Sequence, residues 1–280
     1  MAFTWSDIQR NRLWELDAAD SEISMEFESS EDRDRSYQKF ELKLVKAHRK
    51  RLQVFREETR RPAHCILEEN LVSTLVKNDF SQVSTPIIMA KGLLSKMGIN
   101  ETHPLSSQVF WVDSKKCLRP MLAPHLYFVL KDLLRLFEKP VRIFEVGPCF
   151  RKETQGGQHA NEFTMLNIAE FGLPEEQRYD RLMELISIVT EAAGIKDYKI
   201  ESETSEVYGE TIDVVSTEGD IELASGAMGP HLLDKAWKIT DTWVGVGFGL
   251  ERLLMVREKS KNLARMGRSL TYLDGVRLNI

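Results

Sequence analysis

Along the first sixty residues the apolar positions recur at helical spacing. Trp5, Ile8, Leu13 and Leu16 mark one helix, and Tyr37, Phe40, Leu44, Leu52 and Phe55 give an apolar side to a second that starts near Ser30. Arg61 precedes Pro62, and a residue before proline is biased out of the helical region, so this helix is expected to stop there. A third helix is predicted over 63–77, where Leu67, Leu71 and Leu75 come at four-residue steps, with Asn78 as a left-handed stop.

Beyond residue 78 the texture changes to strands. Residues 80–88 read as extended chain, with Pro86 at an edge or strand end. Short strands are predicted at 109–112 and 117–118, a helix at 123–137, strands at 141–151 and 162–171, and a helix at 175–193. Strands near 207–215, 221–227 and 243–247 follow, before a closing helix from about 250. Strands cluster, with helices between clusters, which predicts an α+β fold with an antiparallel sheet rather than a doubly wound one. Two domains are expected: a helical extension at 1–60 and a sheet domain at 61–280.

Composition narrows the class. The 280 residues, 42% hydrophobic and 29% charged, exclude collagen-like, wholly disordered and disulfide-scaffold chains. No apolar run approaches the ~20 residues a membrane helix needs, and the amino terminus turns polar before a signal core forms. A cytoplasmic protein with no membrane partner is expected. Cys65, Cys117 and Cys149 lie far apart and read as reduced thiols, implying neither a zinc site nor a disulfide.

The net charge of −5 hides an asymmetry. Residues 15–32 hold eight acidic side chains and no Lys or Arg, whereas 33–61 hold eleven basic side chains against four acids. A basic helix of this kind suits a phosphate backbone; a solvated amphipathic helix accounts for the same charges.

Phosphate-loop, zinc-helix and nucleophile-elbow patterns are absent, and the glycines at 245, 247 and 249 lack the last glycine of a dinucleotide fingerprint. Three segments carry candidate chemistry. In FEVGPCFRKETQGGQHANEFTMLNIAEF (144–171), two strands flank a polar loop, and Arg151 and Glu153 project to one face. A guanidinium and a carboxylate so placed suit an anionic phosphate and an amine-bearing ring. Phe163, Met165, Asn167 and Ala169 share a face of the return strand. A half-core hairpin with internally paired charges accounts for these residues as well. In WVGVGFGLER (243–252), alternate glycines allow close approach to the backbone, and Arg252 follows in the first turn of a helix. Tight strand–helix packing is the plainer reading. The third segment, 70–88, ends in TPII and reads as a packing or dimer element.

Taken in this order, the three segments resemble motifs 1, 2 and 3 of class II aminoacyl-tRNA synthetases. With KCLRPMLAP (116–124), EFTMLN (162–167), VYG (207–209), IELAS (221–225) and YLDG (272–275), the chain looks like the pyrrolysyl-tRNA synthetase family over most of its length after residue 60. Its amino-terminal helices look like that family's tRNA-facing extension.

The resemblance implies a class II antiparallel sheet on which ATP binds with Mg2+. Arg151 would contact the α-phosphate, Glu153 the adenine amine, Phe163 one face of the adenine and Arg252 the other. His159 and Met165 would complete the nucleotide pocket. Glu222 and Ser225 would serve as magnesium and phosphate contacts; their three-residue spacing predicts a bulge or strand end. Arg151, Glu222 and Arg252 would be the catalytic set.

For the amino acid, Ala123, Leu126, Tyr127 and Leu130 fall on one helix face, a stripe that reads as core when taken alone. The resemblance makes it the wall of a cavity for pyrrolysine, completed by Met121, Ile143, Ala227 and Trp243. Asn167 would bind the side-chain amide and Tyr208 would close over the pyrroline. His125 stands where the family has Asn, and Ala169 occupies a variable position that can enlarge the cavity.

The implied activity is ATP-dependent charging of the amber-decoding tRNA(Pyl) through an aminoacyl-adenylate, by a homodimer. With 28 residues after Arg252, tRNA contacts are expected from the basic helix (Arg49, Lys50, Arg51) and a last helix (Arg257, Lys259, Lys261, Arg265, Arg268). Some family members carry a further tRNA-binding domain, fused or as a separate polypeptide; a partner chain of that kind stays open. So do a class II synthetase for phenylalanine or phosphoserine and a non-catalytic paralogue that binds RNA. An apolar pocket face argues against phosphoserine, and the joint presence of Arg151, Glu153, Glu222 and Arg252 argues against a dead site.

Overall fold

The computed structural model describes residues 2–152, 160–260 and 262–280. It divides into two compact units, Met1–Pro62 with Ser269–Ile280, and Ala63–Arg268. The expected linear division assigned 61–280 to one domain, whereas residues 269–280 group with the amino-terminal unit.

In the first unit, β1 (Phe3–Thr4), α1 (Asp7–Glu15), α2 (Asp20–Ile23), β2 (Glu26–Phe27) and α3 (Ser30–Val54) surround a small core of Trp5, Leu13 and Phe27. Tyr37, Phe40 and Leu44 of α3 pack on it, as their spacing predicts. Trp5 precedes α1 rather than belonging to it, and Ile8 is 82% exposed, because a Ser6–Gln9 capping box starts the helix at Asp7. Ser29 caps α3, and left-handed Arg60 ends the π-helical turn that follows it. The acidic segment leans on the basic helix through Glu22–Lys43 at 2.9 Å.

The second unit begins with α4 (Ala63–Lys77), whose Leu67, Leu71 and Leu75 are fully buried. Asp79, not Asn78, takes the left-handed conformation (φ 64°); Asn78 instead donates from Nδ2 to the Thr74 carbonyl at 2.8 Å. The chain continues through β3 (Ser81–Gln82), β4 (Ile88–Ala90), α5 (Lys91–Lys96), β5 (Lys116–Leu118), α6 (Ala123–Leu136), β6 (Val141–Phe150) and β7 (Glu162–Phe171). Then come α7 (Arg178–Ala193), β8 (Tyr198–Ser205), β9 (Gly209–Ser216), β10 (Glu222–Gly229), α8 (Asp234–Trp237), β11 (Trp243–Gly249) and α9 (Leu250–Arg257). The strand expected at 109–112 is only an isolated bridge from Trp111 to Cys117, and β8 was not expected.

Seven described strands form one sheet in the order β3-β6-β7-β11-β10-β9-β8, antiparallel except for the short β3–β6 pair. Alternation sorts its side chains onto two faces. Phe144, Leu166, Ile168, Val244, Val246 and Phe248 face the larger core with α4, α7 and α9. The opposite face carries Ala169, Ala227 and Trp243, over which α6 lays Leu126, Tyr127 and Leu130. The cavity lies on this second face.

Among the described residues no closing helix carries the predicted basic row. Helix α9 ends at Arg257, where residues 258–262 lose the apolar spacing and Lys259 turns left-handed (φ 52°). Lys259 is exposed, Arg265 is buried in a short 3-10 turn rather than offered at the surface, and Lys261 lies outside the described residues.

Candidate active site

The cavity measures about 410 Å³. Register explains its floor. On neighbouring strands Ala169, Gly245 and Ala227 stand in one row, and Asn167, Gly247 and Ser225 in the next. Small residues thus hollow the middle of the sheet while β-branched and aromatic neighbours fill the other face. A Cβ on Gly247 would lie 3.2 Å from both Asn167 Oδ1 and Met165 Cε, so the glycine leaves room for those two side chains.

One end of the cavity is apolar. Met121, Ala123, Leu126, Tyr127 and Leu130 line it from α6 and its approach, so the helix stripe is both core and cavity wall. Tyr127 packs edge-on against Trp243 (5.7 Å) and stacks on Trp237 (5.4 Å). Trp243 is held by its indole N–H, which donates to Asp234 Oδ2 at 2.9 Å. Its ring fills the space a side chain at Gly229 would need, since a Cβ there would fall 1.8 Å from Nε1. Burial raises the Asp234 carboxyl above its ordinary value, and burial, then the neighbouring Tyr208, does the same for the Tyr127 phenol. Tyr208 lines the cavity from the turn between β8 and β9. Ile143 sits opposite Ala169 in register and packs in the same buried cluster as the apolar cavity wall, but does not itself line the cavity.

The other end is charged. Arg151, Phe163, Met165, Glu222, Ser225 and Arg252 all reach the cavity. The Arg151 guanidinium lies 5.3 Å from the Phe163 ring centre, with Nε donating to the Pro120 carbonyl at 2.9 Å. Arg252 is steered by Glu222, donating to its carbonyl at 3.1 Å with the carboxylate 3.4 Å away. A register shift between Glu222 and Ala224 supplies the expected bulge, and both Glu222 and Ser225 line the cavity. The Ser225 hydroxyl donates to Asp213 Oδ1 at 2.6 Å, leaving its lone pairs for another partner. Glu153 and His159 lie outside the described residues.

Two supporting groups were not expected. Glu251, buried beside Arg252, accepts the Thr164 N–H at 2.9 Å on both carboxylate oxygens, tying α9 to the start of β7. A charged residue on an otherwise apolar helix face was its only trace in the sequence. The second is a buried network of Arg119, Glu145, Thr85 and His125. Arg119 meets Glu145 at 2.7 Å and donates to Thr85 Oγ1 at 3.0 Å, while that hydroxyl gives its proton to Glu145 at 2.7 Å. His125 Nδ1, 3.1 Å from the same hydroxyl, is left to donate. Burial, then Arg119, holds His125 below its ordinary value. His125 therefore braces α6 from beside the cavity rather than lining it.

The buried thiols take no part. Burial pushes Cys117 up to about 11 and Cys149 up to about 12, so both stay protonated at neutral pH.

Comparison with known proteins agrees with this geometry. Residues 110–257 match the family described as tRNA synthetase class II core domain (G, H, P, S and T). Threonine--tRNA ligase from Wolbachia sp. subsp. Brugia malayi is 31% identical over 112 residues, covering 38% of this chain and 17% of that protein. The enzyme of that name from Anaplasma marginale (strain St. Maries) is 28% identical over 145 residues, 50% of this chain and 22% of the relative. These matches span under a quarter of the relatives' length, so they carry the core and not the whole protein. The crystal structure of pyrrolysyl-tRNA synthetase from Desulfitobacterium hafniense superposes with a TM-score of 0.94 at 53% identity, covering all of both chains. A second structure, of PylSc from the same organism, gives 0.92 at 53%, over 99% of this chain and 96% of that one. With its class II core matched and its full length shared at this identity, the chain belongs to the pyrrolysyl-tRNA synthetase family of class II aminoacyl-tRNA synthetases.

Proposed function

We propose that the protein activates pyrrolysine with ATP and transfers it to tRNA(Pyl). One observation carries the reading: a single cavity joins two arginines and an oxygen-donor pair at one end to an apolar, aromatic-walled end, with Asn167 between. That suits a long apolar amino acid whose carboxylate must meet a nucleotide phosphate, with a side-chain amide along the way.

In the first step a carboxylate oxygen of the amino acid bonds to the α-phosphorus in line. The bond to the bridging oxygen breaks, and its electron pair leaves with pyrophosphate. Arg151 offsets charge on the α-phosphate, and Arg252 covers the adenine over Phe163, so positioning and electrostatics do most of the work. Glu222 and Ser225 offer oxygen donors of the kind Mg2+ takes alongside phosphate oxygens, and the bound ion would neutralise phosphate charge. In the second step the terminal hydroxyl of the tRNA attacks the adenylate's carbonyl carbon and AMP leaves; a phosphate oxygen of the adenylate accepts the proton. The proposal includes a homodimer formed through the α4–β3 element.

ATP–pyrophosphate exchange with pyrrolysine or an Nε-acylated lysine, beside the twenty standard amino acids, tests the reading. Exchange confined to the bulky lysine derivatives is expected. Exchange with a standard amino acid would keep the fold and overturn the substrate, and none with any would overturn the activity.

For the tRNA, Arg49, Lys50 and Arg51 lie exposed in succession on α3. Reversing all three to glutamate is expected to weaken tRNA binding at least about tenfold at physiological salt, with amino-acid-dependent exchange unchanged. Filter binding at several salt concentrations checks it; an unaltered affinity would remove α3 from the interface.

A further inference from the structure

The turn that brings Tyr208 to the cavity is gripped from two sides. After β8 ends at Ser205, the chain passes through Glu206, Val207 and Tyr208 and enters β9 at Gly209, in the left-handed region (φ 68°). Ser205 Oγ accepts the N–H groups of Val207 and Tyr208 at 3.2 and 2.9 Å, which shapes the turn from within. Two carbonyls of the turn point outward, and each meets a histidine. His103 Nε2 lies 3.2 Å from the Glu206 oxygen and His231 Nε2 lies 2.7 Å from the Tyr208 oxygen.

The same local geometry sets the tautomer of both rings. Leu105 N–H donates to His103 Nδ1 and Leu233 N–H donates to His231 Nδ1, each at 3.2 Å. A nitrogen that accepts a backbone N–H carries no proton, so in the neutral ring the proton sits on Nε2 and is donated to the turn. Both histidines are thus preset as donors by the residue two places on. They come from separate loops, one before the short 3-10 helix at Pro104–Gln108 and one before α8.

The His231 side is also tied to the cavity wall. Its backbone N–H donates to Asp234 Oδ2 at 2.6 Å, the same oxygen that accepts the Trp243 indole. The Tyr208 ring lies edge-on to His231 at 5.8 Å and 6.2 Å from Trp243. A displacement of the turn therefore meets resistance from the loop that fixes Trp243.

We infer that His103 and His231 form a two-point latch on the 206–208 turn, positioning residues that hold Tyr208 as a wall of the amino-acid end of the cavity. The inference rests on the proposed amino-acid site. Its consequence is for substrate selection: a held Tyr208 favours side chains that fill the space beneath it, and a released one weakens binding of the amino acid without touching the nucleotide end.

Hydrogen–deuterium exchange over 205–209 and steady-state ATP–pyrophosphate exchange test it on three variants, His103→Leu, His231→Leu and His231→Gln. Each leucine removes one neutral hydrogen bond to the turn, along with the bond that the histidine Nδ1 accepts from the residue two places on, so faster amide exchange in the turn is expected, by about two- to tenfold. The KM for the amino acid should rise by a similar factor, while kcat and the KM for ATP stay put. Glutamine, with an N–H donor near the position of Nε2, should restore most of both. Unchanged amide exchange in the turn overturns the latch, as does faster exchange with an unchanged amino-acid KM. A rise in both KM values that glutamine fails to rescue overturns it too, because it marks general loosening of the fold. Should the unaltered protein show no amino-acid-dependent activity, the proposed function has failed, and amide exchange alone then decides the latch.

Discussion

Replacing Arg151 by alanine is expected to lower amino-acid-dependent ATP–pyrophosphate exchange by about 10²–10³-fold, the loss typical of removing one preorganised donor from a developing anion. The side chain is held by partners within this chain. Its Nε is engaged by the Pro120 carbonyl at 2.9 Å and its guanidinium carbon lies 5.3 Å from the Phe163 ring centre. Lysine should not rescue the activity, because an ammonium offers neither the planar fork nor the stacking surface. The fold should tolerate the change. One part-buried hydrogen bond is worth about 1 kcal/mol, or about 2–4 °C for a unit of this size. Pyrophosphate exchange beside a thermal melt separates the two effects. Exchange within about threefold of the unaltered protein would take Arg151 out of the reacting centre.

The contrast between what the sequence conveyed about this site and what it withheld has a physical basis. Periodicity reports which side chains share a face within one element. The α6 stripe, the 162–171 strand and the 63–77 helix were all legible for that reason. The bulge at Glu222–Ala224 was legible only through the family resemblance, which assigned Glu222 and Ser225 to one site: two residues three apart reach one cavity only if the strand is interrupted. Registers between strands carry no such local trace. That Asn167 stands beside Gly247, and Ala169 beside Gly245, follows only once β7 and β11 are paired. Strand β8 was missed because it is an edge: six of its eight residues are Lys, Glu, Ser or Thr, and most of the strand is exposed. The basic row after residue 257 failed for the opposite reason, a run of charges read as a helix without the apolar spacing that would hold one. His103 and His231 went unremarked because their meaning lies in carbonyls more than twenty residues away in the chain.

The pair that sequence patterning could least foresee should also be the most costly to break. Arg119 and Glu145 are each 2% exposed at the side chain, 26 residues apart, and joined at 2.7 Å. Every strong partner of Arg119 is internal: Glu145, the Pro148 carbonyl at 2.7 Å, and both oxygens of Thr85. Gly147 is part of the arrangement, since a Cβ there would fall 2.1 Å from Nη2 of Arg119. Glu145→Ala leaves a guanidinium desolvated with only neutral acceptors, and such a break costs about 3–5 kcal/mol. For a unit of about two hundred residues that is a fall in Tm of roughly 6–20 °C. The origin of the cost is the stranded charge, not the loss of an attraction. It follows that Arg119→Met combined with Glu145→Leu should be less destabilised than Glu145→Ala alone. Urea melts of the singles and the double check this, and a double variant as unstable as the sum of its singles would refute it. The site should register the same change. Glu145 faces Asn167 across β6 and β7, and its carboxylate holds Thr85, which in turn meets His125 on the cavity helix. The stability of this ion pair and the placement of α6 over the apolar end of the cavity are therefore one structural property, readable in a single set of variants.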